Sequence, residues 1–136
     1  MPMTAETGDG RHIVVVNDTE EILDLFEEIL VGMGHRVTRF TYAPHEAATI
    51  ADLNPDLVIV DFILGGREYL GWQLLQKLRM QNDTADIPLI ACTAAVKEVR
   101  EMEGKLAESN ITVVLKPFRV ADLERAVNVA LGHLVA

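Results

Sequence analysis

Cysteine occurs once in this chain, at Cys92, so no internal disulfide can form and the reducing cytoplasm is the expected compartment. Cys92 lies inside an apolar run, where a buried inert thiol is expected over a reactive one. Aromatic residues make up only 5% of the chain, and Trp72, the single tryptophan, is expected on a helix, packed near a loop. Basic residues are outnumbered: 12 Lys and Arg stand against 21 Asp and Glu, for a net charge of -9. Nucleic-acid phosphates repel such a surface, so direct nucleic-acid binding is not expected. No apolar stretch approaches bilayer length, and the N-terminus lacks the basic-then-apolar order of a secretion signal, so no membrane role is expected. The histidines show no metal-ligand spacing, and His12 and His35 read as strand-flanking residues. Gly32-Met33-Gly34 follows a helical pattern instead of a strand, so it is no dinucleotide fingerprint.

What remains is a globular composition, 49% hydrophobic and 24% charged over 136 residues, which suits one domain with a real core. The stretch that organises it runs from Asp56 to Phe62. Four apolar residues, Leu57 to Val60, suit a strand buried on both faces of a parallel sheet, and they end in a carboxylate, Asp61.

Taken in order, residues 1–10 are small and polar and read as a flexible leader, with the domain expected over 11–136. A strand at His12–Val16 ends in Asn17-Asp18, and an amphipathic helix follows over Thr19–Met33, with Asp18 as expected N-cap and Gly32 and Gly34 closing it. His35–Phe40 is a more polar strand suited to a sheet edge. Pro44 fits the first turn of a helix reaching about Leu53, which Asn54-Pro55 ends. After the central strand, Ile63–Gly71 reads as a loop and Trp72 to about Met80 as a helix. Leu89–Cys92 is a strand ending at Thr93, Val96–Glu108 a charged helix, and Ile111–Leu115 a strand ending in Lys116-Pro117-Phe118. The last helix would bury Val120, Leu123, Val127, Ala130, Leu131 and Leu134. Five strands alternating with helices imply right-handed crossovers and a doubly wound α/β fold with a parallel sheet.

The residues that end these strands form a coherent set: Asn17 and Asp18, Asp61, Thr93 and Lys116. In open α/β sheets the carboxyl edge is where ligands bind. Taken singly, Asp18 is equally a helix cap, Asp61 a strand terminus, Thr93 a β-branched strand residue and Lys116 a solvated end. Together, two carboxylates suit a hard cation such as Mg²⁺, which takes oxygen ligands. Asp61 then keeps an oxygen for attack on a phosphoryl donor, with Lys116 and the Thr93 hydroxyl facing the developing charge.

In that set and order, with Thr93-Ala94 and Lys116-Pro117-Phe118, the chain resembles a receiver domain of the bacterial two-component response regulators, over about Arg11 to Ala136. The resemblance implies a flavodoxin-like five-stranded sheet in the order 2-1-3-4-5. It implies that Asp61 accepts a phosphoryl group from a histidine kinase or phosphotransfer protein. It also implies that Asp18, Asp61 and the Ile63 backbone carbonyl bind Mg²⁺, with Asn17 reaching the ion through water. Thr93 would contact the phosphoryl group, Lys116 would pair with it, and the peptide before Pro117 would be cis. Such a chain is not an enzyme on a separate substrate; it catalyses only its own phosphorylation and slow dephosphorylation. A downstream partner or a second copy would bind through the face of helix 4, strand 5 and helix 5. Because the sequence stops soon after the last helix, the expectation is a stand-alone receiver or a piece of a larger chain.

Departures from the family pattern are as informative. Asn17 replaces the first of two acids, and Val113 replaces an aromatic switch residue three positions before the lysine. The loop after Asp61 lacks a Met-Pro and reads Leu64-Gly65-Gly66-Arg67-Glu68-Tyr69-Leu70-Gly71. Ile63 and Ala95 stand where polar side chains often orient an attacking water, which implies slow loss of the phosphoryl group. A phosphatase of the haloacid dehalogenase kind would need a second Asp at Ile63 and is a poor rival. The better rival is a degenerate receiver that binds proteins without phosphorylation, which Asn17 and Val113 favour.

Overall fold

The computed structural model describes residues 10–44, 46–61, 70–94, 96–101, 103–108 and 110–132. Its strands are β1 (His12–Val16), β2 (Arg36–Phe40), β3 (Leu57–Asp61), β4 (Leu89–Thr93) and β5 (Ile111–Leu115). Its helical segments are α1 (Glu20–Gly32), α2 (Ala47–Ala51), α3 (Leu70–Met80), α4 (Val96–Glu101), α5 (Glu103–Glu108) and α6 (Val120–Ala130). All strand pairings are parallel and the sheet order is β2-β1-β3-β4-β5. This is the doubly wound, flavodoxin-like arrangement expected.

Alternation along the strands builds the two halves of the core, because successive strand side chains point to opposite faces. Val14, Val16, Val58, Val60, Leu89 and Ala91 face one way and meet Ile50 of α2, Trp72, Leu75 and Leu78 of α3 and Leu106 of α5. Ile13, Val15, Leu57, Ile59, Ile90 and Cys92 face the other way and meet Leu23, Phe26 and Leu30 of α1 and Leu123 and Val127 of α6. Helices therefore cover both faces, and β1, β3 and β4 are buried end to end except at Asp61. The more polar β2 lies at one edge, as its sequence suggested.

Several boundaries differ from the sequence reading. Thr19, extended at φ -113 and ψ 117, is the N-cap of α1, and it makes no side-chain cap bond. Asp18 is not the cap, because Asn17 Oδ1 accepts the Thr19 N–H at 2.9 Å and turns the chain one residue before the helix begins. Gly32 is the last residue of α1, and Gly34, at φ +96, makes the closing turn. Pro44 precedes α2 instead of entering it; the helix starts at Ala47 and is only five residues long. Gly71 belongs to α3, which includes Leu70, so the helix begins before the expected Trp72. Trp72 is a core residue of α3. The leader up to residue 9, residues 62–69, and Leu134 in the final helix pattern lie outside the described residues.

The histidines expected at strand flanks close the amino edge of the sheet. His12 Nδ1 is 2.9 Å from the Leu53 carbonyl, which only accepts, so Nδ1 carries the hydrogen and Nε2 meets the Thr38 hydroxyl at 2.7 Å. His35 Nδ1 accepts the Arg11 N–H at 3.1 Å. At the end of α3, the fully buried Thr84 donates its hydroxyl to the Leu78 carbonyl. That carbonyl is among the last four of the helix, which have no intrahelical partner. Replacing Thr84 by Val keeps the shape and leaves the carbonyl unpaired, so Thr84→Val should lower unfolding free energy by about 1–3 kcal/mol. Urea denaturation followed by Trp72 fluorescence checks this, with Thr84→Ser expected to retain most of the stability.

Candidate functional site

The parallel register brings the strand ends together. Val16 of β1 pairs with Val60 of β3, so Asn17 and Asp61 leave the sheet side by side. Asp61 pairs with Cys92 of β4, and Thr93 pairs with Leu115 of β5, next to Lys116. The Lys116 N–H donates to the Thr93 carbonyl at 2.9 Å, which extends the β4–β5 ladder to the lysine.

Asp61 is the centre of the described site. Its side chain is 12% exposed, and Lys116 Nζ lies 3.2 Å from Oδ2. The same oxygen accepts a bond from Asn17 Nδ2, also at 3.2 Å. Carboxylates taken out of water need such partners, and here an ammonium and a carboxamide provide them. Asn17 is itself held at three points: its N–H donates to the Phe40 carbonyl at 3.0 Å, Oδ1 accepts from Thr19, and Nδ2 reaches Asp61. Thr93 is buried at the end of β4, and Asp18 is exposed at the start of the β1–α1 turn. The structure thus joins Asn17, Asp61 and Lys116 by direct bonds and places Asp18 and Thr93 on the same edge. Ile63 and Ala95 lie outside the described residues.

Two supports were not foreseen. Arg39, on β2, reaches over α1 and bonds Glu20, Asp24 and Glu27 at 2.7–2.8 Å. Hydrogen bonding to Glu27 and then Asp24 pushes the Arg39 pKa up and keeps it charged. The acids recur at three- and four-residue spacing along α1, a visible signal, but only the sheet order shows which cation answers them. Phe118 packs its ring against Phe26 of α1 at a centroid distance of 5.9 Å, anchoring the turn after Lys116. The Lys116–Pro117 peptide is cis, as the resemblance implied. Val113 is partly buried against the α3 side of the core.

The donor set suits a hard divalent cation. Asp61 and Asp18 supply carboxylate oxygens at adjoining strand ends, with no sulfur or imidazole ligand among the site residues, which matches Mg²⁺ more than a softer metal. Among the described residues no group of three or more His, Cys, Asp and Glu converges on a metal position, at this edge or elsewhere, so a cation here would draw its remaining oxygen ligands from carbonyls and water. A cleft of about 650 Å³ opens at the opposite, amino edge beside Arg79, Asp86, Glu108 and Asn110. Arg79 there is occupied by the carbonyls of Ala85, Ile87 and Asn110.

A doubly wound parallel sheet with one acid held at its carboxyl edge by lysine and carboxamide belongs to the class of open α/β proteins with a strand-end site. Within that class, the chain belongs to the response regulator receiver domain family, whose pattern it matches over residues 13–128. It is a receiver domain of two-component signalling. The phosphate regulon transcriptional regulatory protein PhoB of Pseudomonas aeruginosa is 29% identical over 114 residues, which cover 84% of this chain and 48% of that protein. The PhoB of Rhizobium meliloti is 31% identical over 111 residues, or 82% of this chain and 48% of that protein. The chain therefore spans about half the length of these curated relatives. Among solved structures, the receiver domain of a sensor histidine kinase from Pseudomonas aeruginosa, with magnesium coordinated in its active-site cleft, superposes with a TM-score of 0.76. It is 25% identical, over 90% of this chain and 98% of that one. Among the described residues, no helix is long and apolar enough to cross a membrane.

Cys92 gives a pH test of this neighbourhood. Burial pushes its thiol up to about 12, with Lys116 pulling it down and Asp61 pushing it up. An unfolded cysteine ionises near about 8.5. The folded state therefore holds the proton that the unfolded state releases, so stability from this group is full below about pH 8.5 and falls as pH rises towards 12. Between pH 8 and 10 the wild type should lose about 2 kcal/mol more than Cys92→Ala, because only the wild type carries this linkage. Parallel urea titrations measure the difference; equal slopes would contradict a protonated buried thiol.

Proposed function

We propose that the chain is a phosphoacceptor domain whose Asp61 receives a phosphoryl group from a histidine kinase or phosphotransfer protein. The observation that carries this reading is the Lys116–Asp61 pair at the carboxyl edge of the sheet, 3.2 Å long and largely shielded from water. An oxygen of Asp61 attacks the phosphorus of a phosphohistidine, the P–N bond breaks, and its electron pair leaves with the imidazole. Lys116, already within reach of Asp61, stays beside the new phosphoryl oxygens, and the Thr93 hydroxyl supplies a donor. When bound, Mg²⁺ would be held by Asp18, Asp61 and, as the resemblance implies, the Ile63 carbonyl, with Asn17 acting through water, and would supply positive charge against the transferred group. The magnesium in the cleft of the sensor-kinase receiver supports that assignment.

Output would pass through a protein surface, to a partner or a second copy. Leu115 and Val120 are 42% and 49% exposed at β5 and the start of α6, and Glu101 of α4 and Lys105 of α5 are exposed as well, which supports a face built from α4 and α5, β5 and α6. With Val113 in place of an aromatic, the change at Thr93 would leave the site without a swinging ring. A degenerate, phosphorylation-independent receiver is the second reading, favoured by Asn17 and Val113. The retained Lys116–Asp61 bond, with Asp18 and Thr93 also present on the same edge, argues against it.

Incubation with Mg²⁺ and acetyl phosphate, followed by intact mass spectrometry beside Asp61→Ala, separates the two. Gain of one phosphoryl group by the wild type alone is expected; no gain, with no binding of beryllofluoride, would establish the degenerate receiver. Because neither Ile63 nor Ala95 carries a side chain that bonds water, the phosphoryl group should persist longer in the wild type than in Ile63→Asn/Ala95→Glu. Decay of the phosphorylated mass over time checks that order.

A further inference from the structure

We propose that Asn17 is a positioning residue that stands in for a cation at Asp61 while the protein is metal-free, ordering the acceptor carboxylate without Mg²⁺ at the cost of weaker Mg²⁺ binding. This rests on the proposed phosphoacceptor role for its meaning, though not for its geometry.

The orientation of the Asn17 amide follows from its partners. The Thr19 N–H can only donate, so the Asn17 atom 2.9 Å away is the oxygen. Nδ2 is then the atom 3.2 Å from Asp61 Oδ2. Flipping the amide would set oxygen against carboxylate and nitrogen against N–H, losing both bonds. The side chain cannot drift, because the residue is 2% exposed and its own N–H is tied to Phe40 of β2.

An aspartate here would accept from Thr19 equally well. It would, however, place a second carboxylate against Asp61 in a poorly solvated place, where like charges repel strongly. Asn17 removes that repulsion and adds a donor, so Asp61 Oδ2 is held from two sides by Asn17 and Lys116. Mg²⁺ must then compete with two resident donors and gains one carboxylate fewer. The neighbouring acids of α1 are handled in the same way, by Arg39 and without a metal.

The experiment compares wild type, Asn17→Asp, Asp61→Asn and the double variant by thermal unfolding in EDTA and in Mg²⁺, with calorimetric Mg²⁺ titration. In EDTA, Asn17→Asp should lower Tm by roughly 5 °C. In the Asp61→Asn background the same change should cost little, since the repelling partner is gone. Mg²⁺ should restore the Asn17→Asp protein and bind it about tenfold more tightly than wild type, as expected for an added carboxylate ligand. If Asn17→Asp does not fold in EDTA while Asn17→Asp/Asp61→Asn does, the proposal stands equally. An unchanged Tm for Asn17→Asp in EDTA, or the same loss in both backgrounds, would overturn it. Because the EDTA arm involves no phosphoryl transfer, failure of the phosphoacceptor reading leaves its result intact, and the converse holds as well.

Discussion

A carboxylate at the end of a strand buried on both faces is tolerated only when something nearby answers its charge. Asp61 is in that position, and much of the carboxyl edge is arranged around it. Lys116 and Asn17 share one of its oxygens. Lys116 is placed by the last rung of the β4–β5 ladder and by the Phe118–Phe26 contact, and Asn17 by bonds to β2 and to the start of α1. Removing any one support would leave a poorly hydrated charge less well paired, which costs more than the bond itself contributes.

The same need shapes the acidic surface. With a net charge of -9, the chain carries an excess of carboxylates that must either stand in water or find a cation. On α1, Glu20, Asp24 and Glu27 are gathered by Arg39 from the edge strand, so helix and sheet are joined where the site-bearing turn begins. Exposed ion pairs contribute little to stability singly, but a shared guanidinium fixes geometry as well. Charge neutralisation and positioning are thus one device at this end of the fold.

The opposite edge is built for permanence. His12, His35, Thr84 and Arg79 each tie a backbone group at a strand start or helix end. The candidate site lies at the carboxyl edge, where the side chains of Asn17, Asp61 and Lys116 meet one another.

The sequence by itself determined the elements and their class. Apolar runs at Leu57–Val60 and Leu89–Cys92, helical stripes in α1 and α6, and polar residues at each strand end are local patterns. They suffice to imply a parallel sheet and to name Asn17, Asp18, Asp61, Thr93 and Lys116. Helix starts were less legible: Asp18 and Pro44 had the right chemistry for caps, but Asn17 turns the chain at Thr19, and α2 starts only at Ala47. Only the tertiary structure decided which groups bond. Asn17 read along the chain is a missing carboxylate that reaches the ion only through water; in three dimensions it is a donor to Asp61, 44 residues away. Arg39 likewise carries no meaning until the sheet order sets β2 beside β1 and under α1. The physical reason is that periodicity and capping act over a few residues, whereas electrostatic partners are chosen by strand register, which no local pattern encodes.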